Sequence, residues 1–243
     1  MILTTMKLKH FYLIILISLF AQQAIAQTFD DHYMIGWKAD QPLTFDLFEG
    51  QPTDDQIKKM KEKNLYAEMG TRLWSVLDVP SSKRGWKSKI EKAYFCPIFD
   101  KNMGFFIKKD STQLKRMQLL WDVKELSCRI ARYILDQEQH KADSLAGGQS
   151  NGIVFNLYMT ALNNAKEFGR GLSNYLSFEV YAKDNDSIFQ EQRALVDQRL
   201  AELAKYATTD EDIRRQVTNQ PEKGYKMAEK IMGDLKKRPD ISY

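Results

Sequence analysis

The residues from Val154 to Leu176 carry the strongest fold signal in this chain, because apolar side chains recur there at every third or fourth position. The spacing continues for about six helical turns, with polar residues on the opposite side. This period predicts one long amphipathic helix with a single buried face. The positions that define the face are Val154, Leu157, Tyr158, Ala161, Ala165, Phe168, Leu172, Tyr175 and Leu176.

Two other segments, 111–142 and 187–207, also show helical spacing. In the first of them the apolar residues form two stripes, which indicates a helix that is buried on more than one side. Such a helix is typical of the interior of a bundle. The sequence therefore predicts a mainly α fold, a helical bundle of three or more long helices.

Shorter helices are predicted at both ends of this bundle. Thr53 and Gln56 form a capping box, and the helical spacing that follows continues to Pro80. Pro221 suits the first position of a final helix. Residues 53–243 are therefore expected to form a single helical domain.

The segment at about 80–109 interrupts the helical pattern. Two aromatic runs, 93–99 and 105–107, flank a five-residue turn that contains Asn and Gly, which is typical of a β-hairpin. Pro97 lacks an N–H for a strand ladder, so the first run is expected to be an edge strand. The prediction is a small hairpin-containing appendage on the bundle.

Residues 1–26 have the pattern of a secretory signal peptide. Two lysines precede a short apolar run, and Ala24 and Ala26 place small residues before the expected cleavage point. The run is shorter than the ~20 residues of a bilayer span, and no later segment is long and apolar enough to be one. We expect an exported protein of the periplasm or cell surface, with an extended aromatic segment at 27–52.

The two cysteines, Cys96 and Cys128, leave two interpretations open. An export compartment permits a disulfide, and a bridge would close a loop of 33 residues. On the loop-entropy argument such a bridge contributes about 3–4 kcal/mol to the free energy of unfolding. The alternative is a pair of buried thiols that pack as small apolar groups.

Basic residues concentrate between positions 80 and 116, where ten Lys and Arg stand against three acidic residues. Basic side chains interleaved with aromatic ones suit nucleic acid or an anionic membrane. They also suit an acidic partner protein, or a solvated face that pairs with the chain's own acidic segment at 179–212. An exported protein seldom meets nucleic acid, so we predict a protein contact surface. Its candidate residues are Lys83, Arg84, Trp86, Lys87, Phe105 and Phe106.

The sequence shows no catalytic, cofactor or metal-binding motif. Asp136 and His140 share a helical face but lack a third ligand, so a solvated helix end explains them better than a metal site. We therefore predict no enzyme activity, no cofactor and no metal.

The signal peptide, the helices at 111–142, 152–183 and 187–207, and the appendage at 80–109 together resemble minor pilin or pilus-tip proteins of type IV secretion and conjugative transfer systems. The chain also resembles uncharacterised exported proteins of conjugative elements. No single motif carries the resemblance, so no residue role is transferred.

This resemblance implies a non-catalytic structural or interaction protein of the bacterial cell envelope, with other envelope or secretion-apparatus proteins as partners. The alternative function from another class is a periplasmic binding module that holds an apolar or anionic ligand between its helices.

Export of the full chain in a bacterial host should yield a product that lacks residues 1–26, because the small side chain of Ala26 lies at the expected cleavage point. Intact-mass measurement of the exported protein checks this. An Ala26→Arg variant should keep its leader, whereas an unprocessed wild-type chain would contradict the prediction.

Overall fold

The structure is a computed structural model that describes residues 33–82, 91–146 and 154–228. All of these residues belong to one compact unit. The predicted signal peptide lies outside the described residues.

The described residues contain five α-helices. The first begins at the predicted capping box, in which the Thr53 backbone N–H donates to Gln56 Oε1 (2.9 Å) and the Gln56 N–H donates to Thr53 Oγ1 (3.3 Å). The third continues directly into a six-residue π-helical turn, Leu176–Tyr181. The helices are α1 (Asp54–Glu62), α2 (Ser111–Ala146), α3 (Val154–Tyr175), α4 (Asp186–Glu202) and α5 (Asp210–Thr218).

In the described ranges six strands form two antiparallel sheets, so the fold is mixed α and β. This finding overturns the predicted mainly α helical bundle with a hairpin appendage. The larger sheet has the strand order β1-β4-β3-β6 and the smaller one pairs β2 with β5. The strands are β1 (Met34–Gly36), β2 (Ala67–Glu68), β3 (Thr71–Pro80), β4 (Lys92–Asp100), β5 (Phe105–Phe106) and β6 (Tyr225–Met227).

Strand β3 lies where the sequence predicted that helical spacing would continue to Pro80. The structure has a strand there and not a helix. Leu77 of this strand packs against α2 and α3 on one face of the sheet. On the other face, the carboxylate of Asp78 pairs with an arginine of α5. A strand that is buried on both faces lacks the alternation of polar and apolar residues, so its pattern imitates that of a buried helix.

The predicted hairpin does not form, because its two aromatic runs pair with other strands. Strand β4 lies at the centre of the larger sheet, between β1 and β3, and β5 pairs with β2 instead. Pro97 is therefore not in an edge strand. The ladder with β1 ends at the Gly36–Ile98 pair, so Pro97 needs no hydrogen bond on that side.

The start of the predicted final helix is also wrong. The chain from Pro221 leads through a turn into strand β6, where Tyr225 lies opposite Pro80. Any helix beyond position 228 falls outside the described residues.

Helix α2 lies between the larger sheet and the helices α3 and α4. On the sheet side, the Trp121 ring meets the Phe99 ring of β4 with centroids 6.2 Å apart. On the α3 side, a Cβ at Gly169 would lie 2.5 Å from Ser127 Oγ, so the glycine permits the close approach of the two helices. The predicted burial of this helix on two sides is thus correct, but one of its partners is a sheet.

Helix α5 covers the opposite face of the larger sheet. Its Arg215 donates to both carboxylate oxygens of Asp78, at 2.7 Å from Nε and 2.9 Å from Nη2. The two side chains are at most 1% exposed. A buried ion pair of this kind costs desolvation energy that only a complete set of hydrogen bonds offsets, so it fixes the position of α5 against β3.

Removal of one partner from this pair should destabilise the protein strongly, because the other charge stays buried alone. We expect Asp78→Ala to lower the free energy of unfolding by about 3–5 kcal/mol in chemical denaturation.

The matched control is Arg199→Ala, which removes an exposed ion pair with Glu202 and should cost less than about 1 kcal/mol. Equal losses in the two variants would contradict the structural role of the Asp78–Arg215 pair.

Candidate functional site

A cleft of about 400 Å³ opens between α1, β2, α2 and the π turn. Its charged lining groups among the described residues are three lysines and one glutamate, so the cleft is cationic. We call it the lysine cleft, and its charged residues are Lys59, Lys63, Lys124 and Glu68.

Lys124 comes from the middle of α2, where both neighbours in sequence, Val123 and Glu125, are fully buried. Its own side chain is half-buried, and desolvation lowers the pKa of its ammonium group. No carboxylate among the described residues forms an ion pair or hydrogen bond with it. A cation in this setting lacks the partner that usually offsets the cost of burial.

The orientation of Lys124 is set by the charged residues around it on α2. Two residues earlier in the chain, Asp122 accepts from Trp37 Nε1 (2.9 Å) and from Arg193 Nη1 (2.6 Å). Glu125 accepts from Arg129 Nε at 2.7 Å. The Asp122 contacts hold the helix against two other parts of the chain, Trp37 and Arg193 of α4, so α2 cannot rotate Lys124 out of the cleft without breaking them.

The rim of the cleft is formed by the end of α1. Lys63 caps this helix, and its Nζ lies 5.7 Å from the centroid of the Phe178 ring, within the range of a cation–π contact. Asn64 Nδ2 donates to the carbonyl of Ala182 (2.8 Å), which ties the end of α1 to the chain just after the π turn.

The π turn lines the cleft with Ser177, Phe178 and Tyr181. A π turn is rare in proteins and is frequently found at functional sites. Tyr181 anchors it, because its hydroxyl donates to the carbonyl of Arg116 on α2 (3.0 Å). Ser173, one turn earlier on α3, also lines the cleft, and its buried Oγ has no hydrogen-bond partner. The cleft thus contains an unpaired cation and an unpaired hydroxyl.

The structure does not bring the predicted contact surface together on the described part of the protein. Phe105 is buried, and Phe106 is half-buried with its ring 4.4 Å from that of Phe48. Neither side chain protrudes as a hairpin tip would. The other four predicted residues lie outside the described ranges: Lys83, Arg84, Trp86 and Lys87.

Cys96 and Cys128 are both buried free thiols in the structure. Cys128 packs in one cluster with Phe95. Since neighbouring side chains in a strand point to opposite faces, Cys96 lies on the other face, where its Sγ is 3.7 Å from the Cβ position of Gly36. The sheet therefore separates the two thiols, and the bridge is not formed here.

The predicted solvated helix end at His140 agrees with the structure. The His140 side chain is 74% exposed and its Nε2 lies 3.3 Å from Asp136 Oδ1. A hydrogen bond from the Tyr206 hydroxyl (2.6 Å) lowers the pKa of Asp136. The described residues hold no group of three or more His, Cys, Asp and Glu with the geometry of a metal site.

Comparisons with protein-family models, with curated proteins and with solved structures found no match for this chain. The resemblance to type IV secretion components therefore stays a prediction. Within the described ranges, no helix has the length and apolarity that a bilayer span requires.

Sequence reasoning missed the lysine cleft. Lys124 reads as one more charged residue on a long helix, and α1 and α2 are almost fifty residues apart in the chain. The one available signal was that Lys124 belongs to a helix with two apolar stripes. A lysine is rarely buried without a partner, so a lysine between two buried faces indicates a candidate binding site.

Both thiols should react slowly in the native protein. Burial raises the pKa of Cys96 and of Cys128 above that of an exposed thiol, so at pH 8 the reactive thiolate is scarce. Iodoacetamide labelling followed by mass spectrometry should modify neither residue in buffer and both in guanidinium. A non-reduced, unfolded sample that resists labelling would instead indicate the Cys96–Cys128 disulfide.

Proposed function

We propose that this protein is an exported, non-catalytic binding protein and that the lysine cleft recognises an anionic ligand. The observation that carries the proposal is Lys124, a half-buried cation without an acidic partner among the described residues. An anion in the cleft would supply the missing charge where water is partly excluded, and ion pairing is strongest in such places.

The composition of the cleft supports an anion over a cation. Its lining contains three lysines and one glutamate, and Glu68 is exposed at the surface. The remaining lining is apolar or neutral, as is usual for small-molecule sites with a few fixed polar groups. This proposal develops the binding module that the sequence left as its alternative.

A role in a conjugative transfer or secretion apparatus remains the second proposal. It is supported by the signal-peptide pattern and by the basic, aromatic segment at 80–116. If this segment is a contact surface, joint neutralisation of Lys83, Arg84 and Lys87 should weaken co-purification with other envelope proteins. Unchanged recovery of those proteins would contradict the proposed contact surface.

Replacement of Lys124 by methionine should weaken anion binding, because methionine keeps the length and apolar character of the side chain but not its charge. Isothermal titration calorimetry with benzoate, octanoate and inorganic phosphate tests this. We expect at least one of these anions to bind the wild-type protein and to bind Lys124→Met at least tenfold more weakly.

The matched control is Lys115→Met, which removes an exposed lysine of the same helix outside the cleft. It should leave binding unchanged. Failure of all three anions to bind the wild type, or equal loss in both variants, would contradict the proposal.

Binding should also weaken with rising pH earlier than an ordinary lysine predicts. Desolvation lowers the pKa of Lys124 below the usual value of about 10.4, so its charge is complete at low pH and is lost as the pH rises through the lowered pKa. Calorimetric titrations at increasing pH measure this loss. A dissociation constant that stays flat up to the usual lysine pKa would contradict the assignment to Lys124.

A further inference from the structure

The lysine cleft has an apolar wall as well as a cationic one. Met117 of α2 is buried in the hydrophobic core. Half-buried apolar side chains of the same cleft pack against that core. Methionine is flexible and polarisable, so it adapts to apolar ligands of different shape. The wall consists of Met60, Leu65, Met69, Met117 and Leu120.

This wall does not suit a small inorganic anion, which would leave it in contact with water. The cleft volume of about 400 Å³ lies in the range of small-molecule sites. An occupant that matches the lining therefore has one anionic end and an apolar body.

The polar groups indicate which anionic end fits. Lys124 supplies one half-buried positive charge, and the Ser173 hydroxyl is a second donor without a partner. Lys59 and Lys63 are exposed at the rim and form no ion pair with a described residue, but Glu68 at the surface disfavours a highly charged head group. A single carboxylate, with one charge and two acceptor oxygens, matches this inventory.

We infer that the lysine cleft binds a medium-chain alkyl carboxylate, with the carboxylate at Lys124 and Ser173 and the chain along the methionine-rich wall. The inference rests on the proposed function and specifies its ligand class. Charge complementarity selects the carboxylate end, and the apolar wall selects the alkyl chain.

The decisive experiment is a calorimetric series of straight-chain carboxylates from acetate to decanoate, each below its micelle concentration. Burial of each methylene should tighten binding about fourfold until the wall is filled, so octanoate should bind far more tightly than butanoate. Octanol, which has the chain without the charge, should bind at least tenfold more weakly than octanoate.

Two variants separate the ends of the ligand. Lys124→Met should remove the preference for octanoate over octanol while keeping the dependence on chain length. Met69→Gln changes a half-buried wall residue and should reduce the gain per methylene. Its control is Met103→Gln, at a methionine that is 58% exposed and outside the cleft.

The outcomes distinguish the alkyl carboxylate inference from the proposal that the lysine cleft binds an anion. If benzoate or phosphate binds in a Lys124-dependent way but affinity does not rise with chain length, the anion site stands and the alkyl carboxylate is wrong. If affinity rises with chain length but octanol equals octanoate, the site is merely apolar and both fail. If no compound binds, both fail as well.

Discussion

The fold depends on a single constraint, which is that helix α2 is buried while carrying several charged residues. Arg116, Asp122, Glu125 and Arg129 are each less than 8% exposed. A buried charge is tolerated only when it is paired and hydrogen-bonded. The rest of the chain is therefore arranged to supply partners to this helix.

These partners come from widely separated parts of the sequence. Glu125 accepts from the Thr208 backbone N–H at 3.0 Å, which ties α2 to the chain just before α5. Arg132 donates to the carbonyl of Tyr206 (2.7 Å) and to Thr208 Oγ1 (3.0 Å). Because the partners of one helix lie in several elements, the polar contacts select a single arrangement of elements that apolar packing alone would leave less defined.

Lys124 matters against this background because it is an exception on the same helix. Its neighbours in sequence are fully buried and Glu125 is fully paired, whereas Lys124 faces the cleft without an acidic partner among the described residues. The π turn after α3 also supports a functional role for the cleft. It departs from regular helix at the place where Phe178 and Tyr181 line the cleft. Local departures from the rules of stability are typical of functional sites.

The helices were predictable from the sequence because their signals are local. The capping box at Thr53 and the apolar period from Val154 to Leu176 depend only on residues within a few turns of one another. The strands β3 and β4 were not predictable in the same way. Each is buried on both faces, so the period of two that marks a half-exposed strand is missing.

By itself the sequence determined the long helices, the two-sided burial of α2 and the pattern typical of export. Only the tertiary structure decided that a sheet covers one side of α2, that Phe105 is buried and Phe106 half-buried, and that lysines of α1 and α2 meet at one cleft. The physical reason is that strand pairing and cleft formation join residues far apart in the chain. Their energies depend on which faces meet, and no local period records that.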